Sequence, residues 1–280
     1  MEDTRRVPFT IGLVERAIVT MFLAGFTLPL AAAQSVRYAA PIFDQVGVKA
    51  DLVLLTAQTP AGERQELRLD VYEPAPDTER SRPAILWLHG QGANRKQDYI
   101  VRLAMEFAKR GYVCVASDYR RDEAAVPLDR KLQDGIEDAQ AALTWVRAHT
   151  QEYGIDPKHI ALGGGSAGGS IAWNVIEANN SNAARTGAAE IFAFVDLWGS
   201  PSAQYLKAPI GPHFAPTIII HGTADQSIPF RNSEILDARL AELGIVHKLL
   251  PLPGARHTPI DQIDLIIRMS AQFVYERLGR

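Results

Sequence analysis

The chain has 280 residues, of which 47% are hydrophobic and 22% are charged, and its net charge is −3 at pH 7. These values are ordinary for a globular protein, and they exclude a disordered tail, a collagen-like fibre and a disulfide-rich scaffold. No basic block stands out among the charged residues, so a nucleic-acid partner is not expected. The single cysteine, Cys114, lies in an apolar stretch, which predicts a buried strand thiol.

The N-terminal segment has the pattern of an export signal. Residues 17–33 carry no charge and end in three alanines, as at a signal-peptidase site. The sequence therefore predicts a signal peptide over residues 1–33 and a secreted or periplasmic mature chain, a single domain over residues 34–280. An uncleaved anchor and a buried helix are the alternatives, but the apolar run is short for a membrane span of about 20 residues. No stable membrane anchor is expected after cleavage.

After this segment, the hydrophobic pattern alternates between the periods of strands and helices. The first predicted element is a hairpin, in which residues 51–55 pair with residues 66–72. Short apolar runs predict the later strands, and apolar residues three and four positions apart predict the helices. In chain order these elements are strand 84–88, helix 100–110, strand 112–117, helix 133–149, strand 159–163, helix 167–178, strand 191–197, strand 216–220, helix 231–243, strand 247–251 and helix 260–278.

This alternation indicates the fold class. Strands separated by helices of about three to five turns need crossover connections, which make the strands parallel. The sequence therefore predicts an α/β fold with a mostly parallel central sheet, antiparallel strands at its N-terminal edge, and helices on both faces. The connections on either side of strand 191–197 are short, so no large lid or second domain is expected there.

A serine between glycines follows the strand at 159–163. Residues 164–168 read Gly-Gly-Ser-Ala-Gly, with Ser166 at the centre, between a predicted strand and a predicted helix. This setting is typical of a nucleophile elbow, a sharp turn that presents the serine hydroxyl above the sheet. The alternative, a phosphate-binding glycine loop, lacks the lysine of a Walker motif. Ser166 is therefore the candidate nucleophile.

A serine hydroxyl needs a base to take its proton. Four histidines follow Ser166 in the chain: His213, His221, His247 and His257. His257 is the candidate base, because it follows the carboxyl end of strand 247–251, where open parallel sheets place functional groups. His221 ends a strand and is expected to support the loop that follows it.

The base in turn needs an acid that orients it. Asp225 follows strand 216–220 and is the candidate. Asp196, at the end of strand 191–197, is its rival. Either carboxylate can instead serve as a helix cap or as a hydrogen-bond acceptor in a loop.

A reaction at an ester carbonyl also needs N–H donors for the developing oxyanion. The amide of Ala167, at the start of a helix, is one expected donor. The loop after strand 84–88 reads His-Gly-Gln-Gly, and either Gln91 or Gly92 is expected to supply the second donor.

Together these motifs resemble those of the α/β-hydrolases of the carboxylesterase and lipase type, most closely the small acetyl-xylan and feruloyl esterases (BD-FAE-like). The segments that carry the resemblance are 68–74, 87–92, 117–120, 164–168, 221–229 and 254–257. The resemblance extends from about residue 49 onward. It implies a catalytic triad of Ser166, Asp225 and His257, and an oxyanion hole in the loop 89–92. Gln91 departs from the family pattern, which usually has a third glycine at this position.

The expected function is hydrolysis of carboxylic esters through an acyl-enzyme, acting on short-chain esters or on acetyl or feruloyl esters of polysaccharides. No cofactor and no metal are expected, because no paired-cysteine or clustered-carboxylate pattern is present. A serine peptidase of the prolyl-oligopeptidase type and a non-catalytic binding protein on the same fold are the alternatives. The sequence fixes neither the acyl length nor the oligomeric state.

Overall fold

The computed structural model describes four stretches of the chain: 37–59, 62–120, 126–199 and 209–279. Contacts divide the chain into two units, Met1–Gln34 and Ser35–Arg280, and every described residue belongs to the second. The predicted signal peptide over residues 1–33 lies outside the described residues. It stays a prediction, as does the single domain over 34–280. None of the helices in the described stretches is long and apolar enough to cross a membrane.

Within the described residues, strands and helices alternate as predicted. The strands are β1 (Gln45–Gln58), β2 (Arg64–Ala75), β3 (Arg82–Leu88), β4 (Val113–Ser117), β5 (Ile155–Gly165), β6 (Phe194–Leu197), β7 (Thr217–Gly222) and β8 (His247–Leu252). The helices are α1 (Asp98–Ala108), α2 (Leu128–Ala148), α3 (Ala167–Thr186), α4 (Arg231–Glu242) and α5 (Ile263–Arg277). A short 3₁₀ turn, Ile260–Gln262, leads into α5.

Helix α3 is longer than predicted, because it ends at Thr186 rather than near residue 178. Asparagine and serine follow residue 178 in the sequence, and these residue types favour turns over helices. In the structure the Asn180 side chain exchanges two hydrogen bonds with the backbone of Ile191, at 3.1 and 2.8 Å. This tertiary contact favours the helical conformation there, and Gly187 then ends the helix in the left-handed region, with φ at 71°.

The eight strands form one sheet in the order β1-β2-β4-β3-β5-β6-β7-β8. β1 pairs with β2 and β2 pairs with β4 in the antiparallel sense, and all other pairs are parallel. The predicted sheet, mostly parallel with antiparallel strands at its N-terminal edge, is therefore confirmed.

Both faces of the sheet are covered by helices. Along β3, Leu86 and Leu88 pack into one apolar core with residues of α2 and α3, whereas Ile85 and Trp87 pack into a second core with residues of α1 and α5. This alternation is the period of a strand that is buried on both faces. Cys114 is fully buried in the second core, as predicted.

The sheet order brings several loops to one edge. Parallel strands point the same way, so the loops after β3, β5, β6, β7 and β8 all leave at the carboxyl edge. The chain moves from β3 to β4 on one side and then to β5 on the other. Such a reversal of strand order leaves a crevice between neighbouring loops, where ligands bind in open α/β sheets.

The first turn of α3 lies directly against the end of β3. A Cβ on Gly168 would lie 2.3 Å from the carbonyl oxygen of Leu88 and 2.4 Å from that of His89. Only a residue without a side chain allows this contact. The contact fixes the distance between the loop after β3 and the loop after β5.

We expect Gly168→Ala to destabilise the fold by about 1–3 kcal/mol, the usual cost of overpacking a closely packed site. Gly47→Ala is the matched control, since a Cβ there would meet no atom closer than 3.9 Å. Urea unfolding of both variants and the wild type measures the difference. Equal unfolding midpoints for the two variants would contradict the prediction.

Candidate active site

Ser166 occupies the sharp turn between β5 and α3. Its φ is 57° and its ψ is −120°, a conformation that residues with side chains rarely adopt. The turn is held by a hydrogen bond of 2.9 Å from the Ser166 amide to the Leu197 carbonyl. A Cβ on Gly164 would lie 2.6 Å from the backbone of Gly168, so the strand and the helix meet with no space for a side chain. This is the strained geometry that the sequence pattern predicted for the nucleophile.

His257 reaches both Ser166 and Asp225 from the loop after β8. Its Nε2 lies 3.0 Å from the Ser166 Oγ, and its Nδ1 lies 2.7 Å from the Asp225 Oδ2. An ionised carboxylate can only accept, so Nδ1 carries the proton and Nε2 is free to accept the serine hydroxyl. The structure therefore brings the three predicted residues together in the predicted order.

Two loops must be held together for this contact to form. Gly222 ends β7, and a Cβ at this glycine would lie 2.4 Å from the carbonyl oxygen of Ala255. The Ala224 amide also donates a hydrogen bond of 2.9 Å to the same carbonyl. These contacts set the loop of His257 beside the loop of Asp225.

Asp225 is buried, and both of its carboxylate oxygens are hydrogen-bonded. Oδ1 accepts from the amides of Ser227 at 2.8 Å and Ile228 at 3.0 Å. Oδ2 lies within hydrogen-bond distance of two imidazoles, those of His257 and His221. Burial raises the pKa of this carboxyl, but the hydrogen bonds from His257, Ile228 and Ser227 outweigh burial, and the pKa is lowered. Asp225 is therefore ionised at neutral pH.

His221 lies behind Asp225 and does not touch Ser166 among the described contacts. Its Nε2 is 3.0 Å from the Asp225 Oδ2 and 3.0 Å from the Ile228 carbonyl, and its Nδ1 is 2.6 Å from the Ser233 Oγ. The sequence predicted only that His221 supports its loop, and these contacts agree. The two side chains meet because the chain turns directly after β7, where the Asp225 amide donates to the Gly222 carbonyl at 3.3 Å.

Asp196, the rival acid, lies elsewhere. It is fully buried at the end of β6, and its Oδ1 accepts a hydrogen bond of 3.1 Å from the Gly199 amide. No described contact joins it to His257. Burial raises the pKa of Asp196 to about 7, since one amide does little to stabilise a buried charge. The geometry therefore favours Asp225 as the partner of His257.

The loop after β3 is a tight turn held by hydrogen bonds. The Ala93 amide bonds to the Gly90 carbonyl at 3.3 Å, and the Gly90 amide is itself engaged by the Gln97 side chain at 2.8 Å. The left-handed position of this turn falls on Gly92, with φ at 71°, so a side chain is tolerated at Gln91. No described residue accepts from the amides of Gln91, Gly92 or Ala167. All three are available to an oxyanion, and the choice between Gln91 and Gly92 stays open.

Arg95 ties this loop to the sheet through ion pairs. It is buried, and its guanidinium contacts Asp70 at 2.9 Å and Asp118 at 2.6 Å, while its own amide donates to Asp118 at 2.9 Å. Asp70 belongs to β2 and Asp118 follows β4, so the loop is tied to two neighbouring strands. A buried cation paired in this way fixes geometry more reliably than it adds stability.

A small pocket of about 40 Å³ opens between the loop after β3 and the start of α3. It is lined by Gln91, Tyr119, Leu128, Lys131, Leu132, Ala167, Ser170 and Ile171. Two of the residues with candidate oxyanion amides, Gln91 and Ala167, thus line the same pocket. A larger groove of about 440 Å³ runs along α4, but it contains none of the residues described above. The small pocket is therefore the better candidate for substrate binding, although the groove along α4 is larger.

The chain is similar in sequence to known esterases. A protein-family model described as BD-FAE matches residues 69–200. The probable carboxylic ester hydrolase LipM of Mycobacterium tuberculosis is 35% identical over 37% of this chain and 23% of its own length. The esterase LipQ of the same organism is 24% identical over 78% of this chain and 60% of its own length. The chain thus spans less than two thirds of the length of these curated relatives.

Among solved structures, Thermogutta terrifontis esterase 2 is similar over most of both chains. Its form phosphorylated by paraoxon has a TM-score of 0.66 and 25% identity, covering 84% of this chain and 95% of that chain. Its butyrate-bound form has a TM-score of 0.62 and 26% identity, covering 86% of this chain and 97% of that chain.

The buried Asp196 predicts a pH dependence of stability. Its pKa is about 7 in the folded chain against an ordinary value of 3.8, so the unfolded chain loses this proton at lower pH. Through this group the free energy of unfolding falls as pH rises from about 4 to about 7. We expect the urea midpoint of the wild type, relative to Asp196→Asn, to decrease between about pH 5 and about pH 7. A difference that stays constant over this range would contradict the prediction.

Proposed function

Since the chain belongs to the α/β-hydrolases of the carboxylesterase type, as its motifs predicted, we propose that it hydrolyses carboxylic esters through an acyl-enzyme formed on Ser166. The observation that carries this proposal is the continuous hydrogen-bonded row from Ser166 through His257 to Asp225, at 3.0 and 2.7 Å. A hydroxyl, an imidazole and an ionised carboxylate in this order are the parts of a serine hydrolase.

In the first half of the proposed reaction, the Ser166 Oγ attacks the carbonyl carbon of the ester, and His257 Nε2 takes the hydroxyl proton. Asp225 stabilises the resulting imidazolium through the Nδ1–H bond. The amide of Ala167, together with that of Gln91 or Gly92, donates to the oxyanion. The carbon–oxygen bond to the alcohol then breaks, and His257 returns the proton to the leaving alcohol.

In the second half, water attacks the acyl-enzyme. His257 Nε2 takes a proton from this water, and a second tetrahedral oxyanion forms in the same amide site. When the intermediate collapses, the bond to Ser166 breaks, His257 protonates the Ser166 Oγ, and the carboxylic acid is released.

The small pocket supports a short acyl group. Its volume of about 40 Å³ is far below the roughly 150 Å³ of a cavity that binds benzene, so an aromatic feruloyl group is a poor fit on this side. Acetyl esters, free or attached to a polysaccharide, fit better. The similar Thermogutta terrifontis esterase 2 binds butyrate, which also supports a short acyl chain. Export of the enzyme is part of the proposal and rests on the sequence of residues 1–33 alone.

The first test is the hydrolysis of p-nitrophenyl acetate by the purified chain. We expect Ser166→Ala to lower kcat by at least about 10³-fold, because removal of any member of a triad removes the function of the whole unit. The wild type should also react with a fluorophosphonate probe, and the variant should not. Unchanged hydrolysis in Ser166→Ala would refute the proposal, and cleavage of an aminoacyl-arylamide in preference to esters would favour a peptidase.

Two buried carboxylates provide matched variants for this test. Asp225→Asn removes the charge that faces His257, whereas Asp196→Asn replaces a buried carboxyl that has no described contact with His257. The loss of kcat should be much larger for Asp225→Asn. A larger loss in Asp196→Asn would overturn the assignment of the acid.

The second test varies acyl length from acetyl to octanoyl. We expect kcat/KM to fall at least about tenfold from the best short ester to octanoyl, since each methylene that a pocket excludes costs roughly 1–3 kcal/mol. Leu128 lines the pocket and is partly exposed, so Leu128→Ala should raise the relative rate on octanoyl esters without unfolding the chain. Ile235→Ala, on the exposed side of α4, is the control. Equal length profiles in all three proteins would exclude this pocket as the acyl site.

A further inference from the structure

One oxygen of Asp225 lies within hydrogen-bond distance of two histidines. The Oδ2 atom is 2.7 Å from the Nδ1 of His257 and 3.0 Å from the Nε2 of His221. The side chain of His257 is 23% exposed at the site, whereas that of His221 is fully buried behind the carboxylate. The reaction proposed above uses only the first of these two imidazoles.

The partners of His221 fix the direction of its hydrogen bonds. Its Nε2 faces the Ile228 carbonyl and an ionised carboxylate, and both can only accept. Nε2 therefore carries a proton. Burial lowers the pKa of His221 even though the Asp225 charge opposes this, so the ring is neutral and its Nδ1 has no proton. Nδ1 then accepts the hydroxyl proton of Ser233, which lies 2.6 Å away on α4 and is fully buried.

We infer that His221 is a positioning residue for ester hydrolysis: as the Nε2–H tautomer, with its ring held by Ser233, it donates to Asp225 and holds that carboxylate toward His257. The inference rests on the proposed function, because it concerns the acid of the same site. It extends the hydrogen-bonded row by two residues, from Ser166 and His257 through Asp225 to His221 and Ser233.

The opposite tautomer would not fit this site. With the proton on Nδ1, the lone pair of Nε2 would face both the Asp225 oxygen and the Ile228 carbonyl oxygen. Three acceptors would then meet without a donor, and a buried polar group without a partner costs about 1–3 kcal/mol. The carboxylate and the Ile228 carbonyl therefore select the Nε2–H tautomer, and the Ser233 hydroxyl can rotate to donate to the bare Nδ1 and satisfy it.

Without the His221 donor, Asp225 would lose one of its four described hydrogen bonds. Oδ1 would keep two backbone amides, but Oδ2 would keep only His257. Hydrogen bonds to the carboxylate keep the pKa of Asp225 low despite burial, so the loss of a donor would raise that pKa and Asp225 would take up a proton at higher pH. The titratable groups that act on His221 are Asp225 and His257, and its ring also packs edge-on against Phe230 at 5.8 Å.

The test compares four variants of the purified chain on p-nitrophenyl acetate. His221→Phe keeps a buried ring and removes all three described polar contacts of the imidazole, and His221→Gln restores an N–H donor. Ser233→Ala removes only the outer partner. Ser270→Ala is the matched control, since Ser270 is an equally buried serine on α5 whose Oγ has no described partner. The measurements are kcat, KM and the pH profile of kcat/KM, each normalised to the folded fraction.

We expect His221→Phe to lower kcat by about 10- to 100-fold, the loss typical of residues that orient a ligating or catalytic histidine from outside. KM should change by less than about twofold, since His221 does not touch the substrate pocket. The acid limb of the pH profile should move to higher pH. His221→Gln should recover most of kcat and the normal limb, Ser233→Ala should fall between, and Ser270→Ala should match the wild type.

A purely structural role for His221 would lower the folded fraction and leave the normalised kcat and the acid limb unchanged in every variant. That result, with Ser166→Ala inactive, would overturn this inference and leave the proposed function intact. Should His221→Phe fail to fold, Ser233→Ala decides, and wild-type kcat with an unmoved limb in that variant would overturn the inference. Absence of ester hydrolysis in the wild type would overturn both proposals.

Discussion

The contact between the first turn of α3 and the end of β3 determines the geometry of the site. Gly168 allows it, because any side chain there would collide with the carbonyls of Leu88 and His89. The strained backbone of Ser166 precedes this turn, and strain of this kind costs about 1–3 kcal/mol and persists only where the surroundings enforce it. Gln91 and Ala167, the residues on either side of this contact, line one pocket. The candidate nucleophile and the candidate oxyanion donors therefore share one packing constraint.

A second close approach completes the arrangement on the other side of Ser166. Gly222 at the end of β7 lies against the carbonyl of Ala255, and this brings the loop of His257 over Asp225. The two approaches involve backbone rather than long side chains, so they leave little freedom for adjustment. β5 lies between β3 and β6 in the sheet. The loop after β3 therefore lies on one side of Ser166, and the loops after β7 and β8 lie on the other.

Local patterns were sufficient to predict the sheet, the strand-to-helix turn at Ser166 and the candidate base, because each depends on residues that are close in sequence. The end of α3 could not be predicted, since Asn180 is held by Ile191 through a tertiary contact. Asp196 and Asp225 could not be separated by position, because both follow strands at the same edge. Their surroundings distinguish them: Asp196 is enclosed behind the turn of Ser166, and Asp225 faces His257.

Those surroundings also explain why two buried carboxyls at the same edge of the sheet differ in pKa. Asp196 has a single described amide donor, and burial raises its pKa to about 7. The carboxylate of Asp225 has four described hydrogen-bond partners, and its pKa is lowered despite burial. A buried charge is stable only when donors replace the water it has lost. In the proposed arrangement His221 is one of those donors, so a residue with no described contact to Ser166 helps to keep the carboxylate that faces His257 ionised. The charge of Asp225 therefore depends on the amides of its loop and on the histidine behind it.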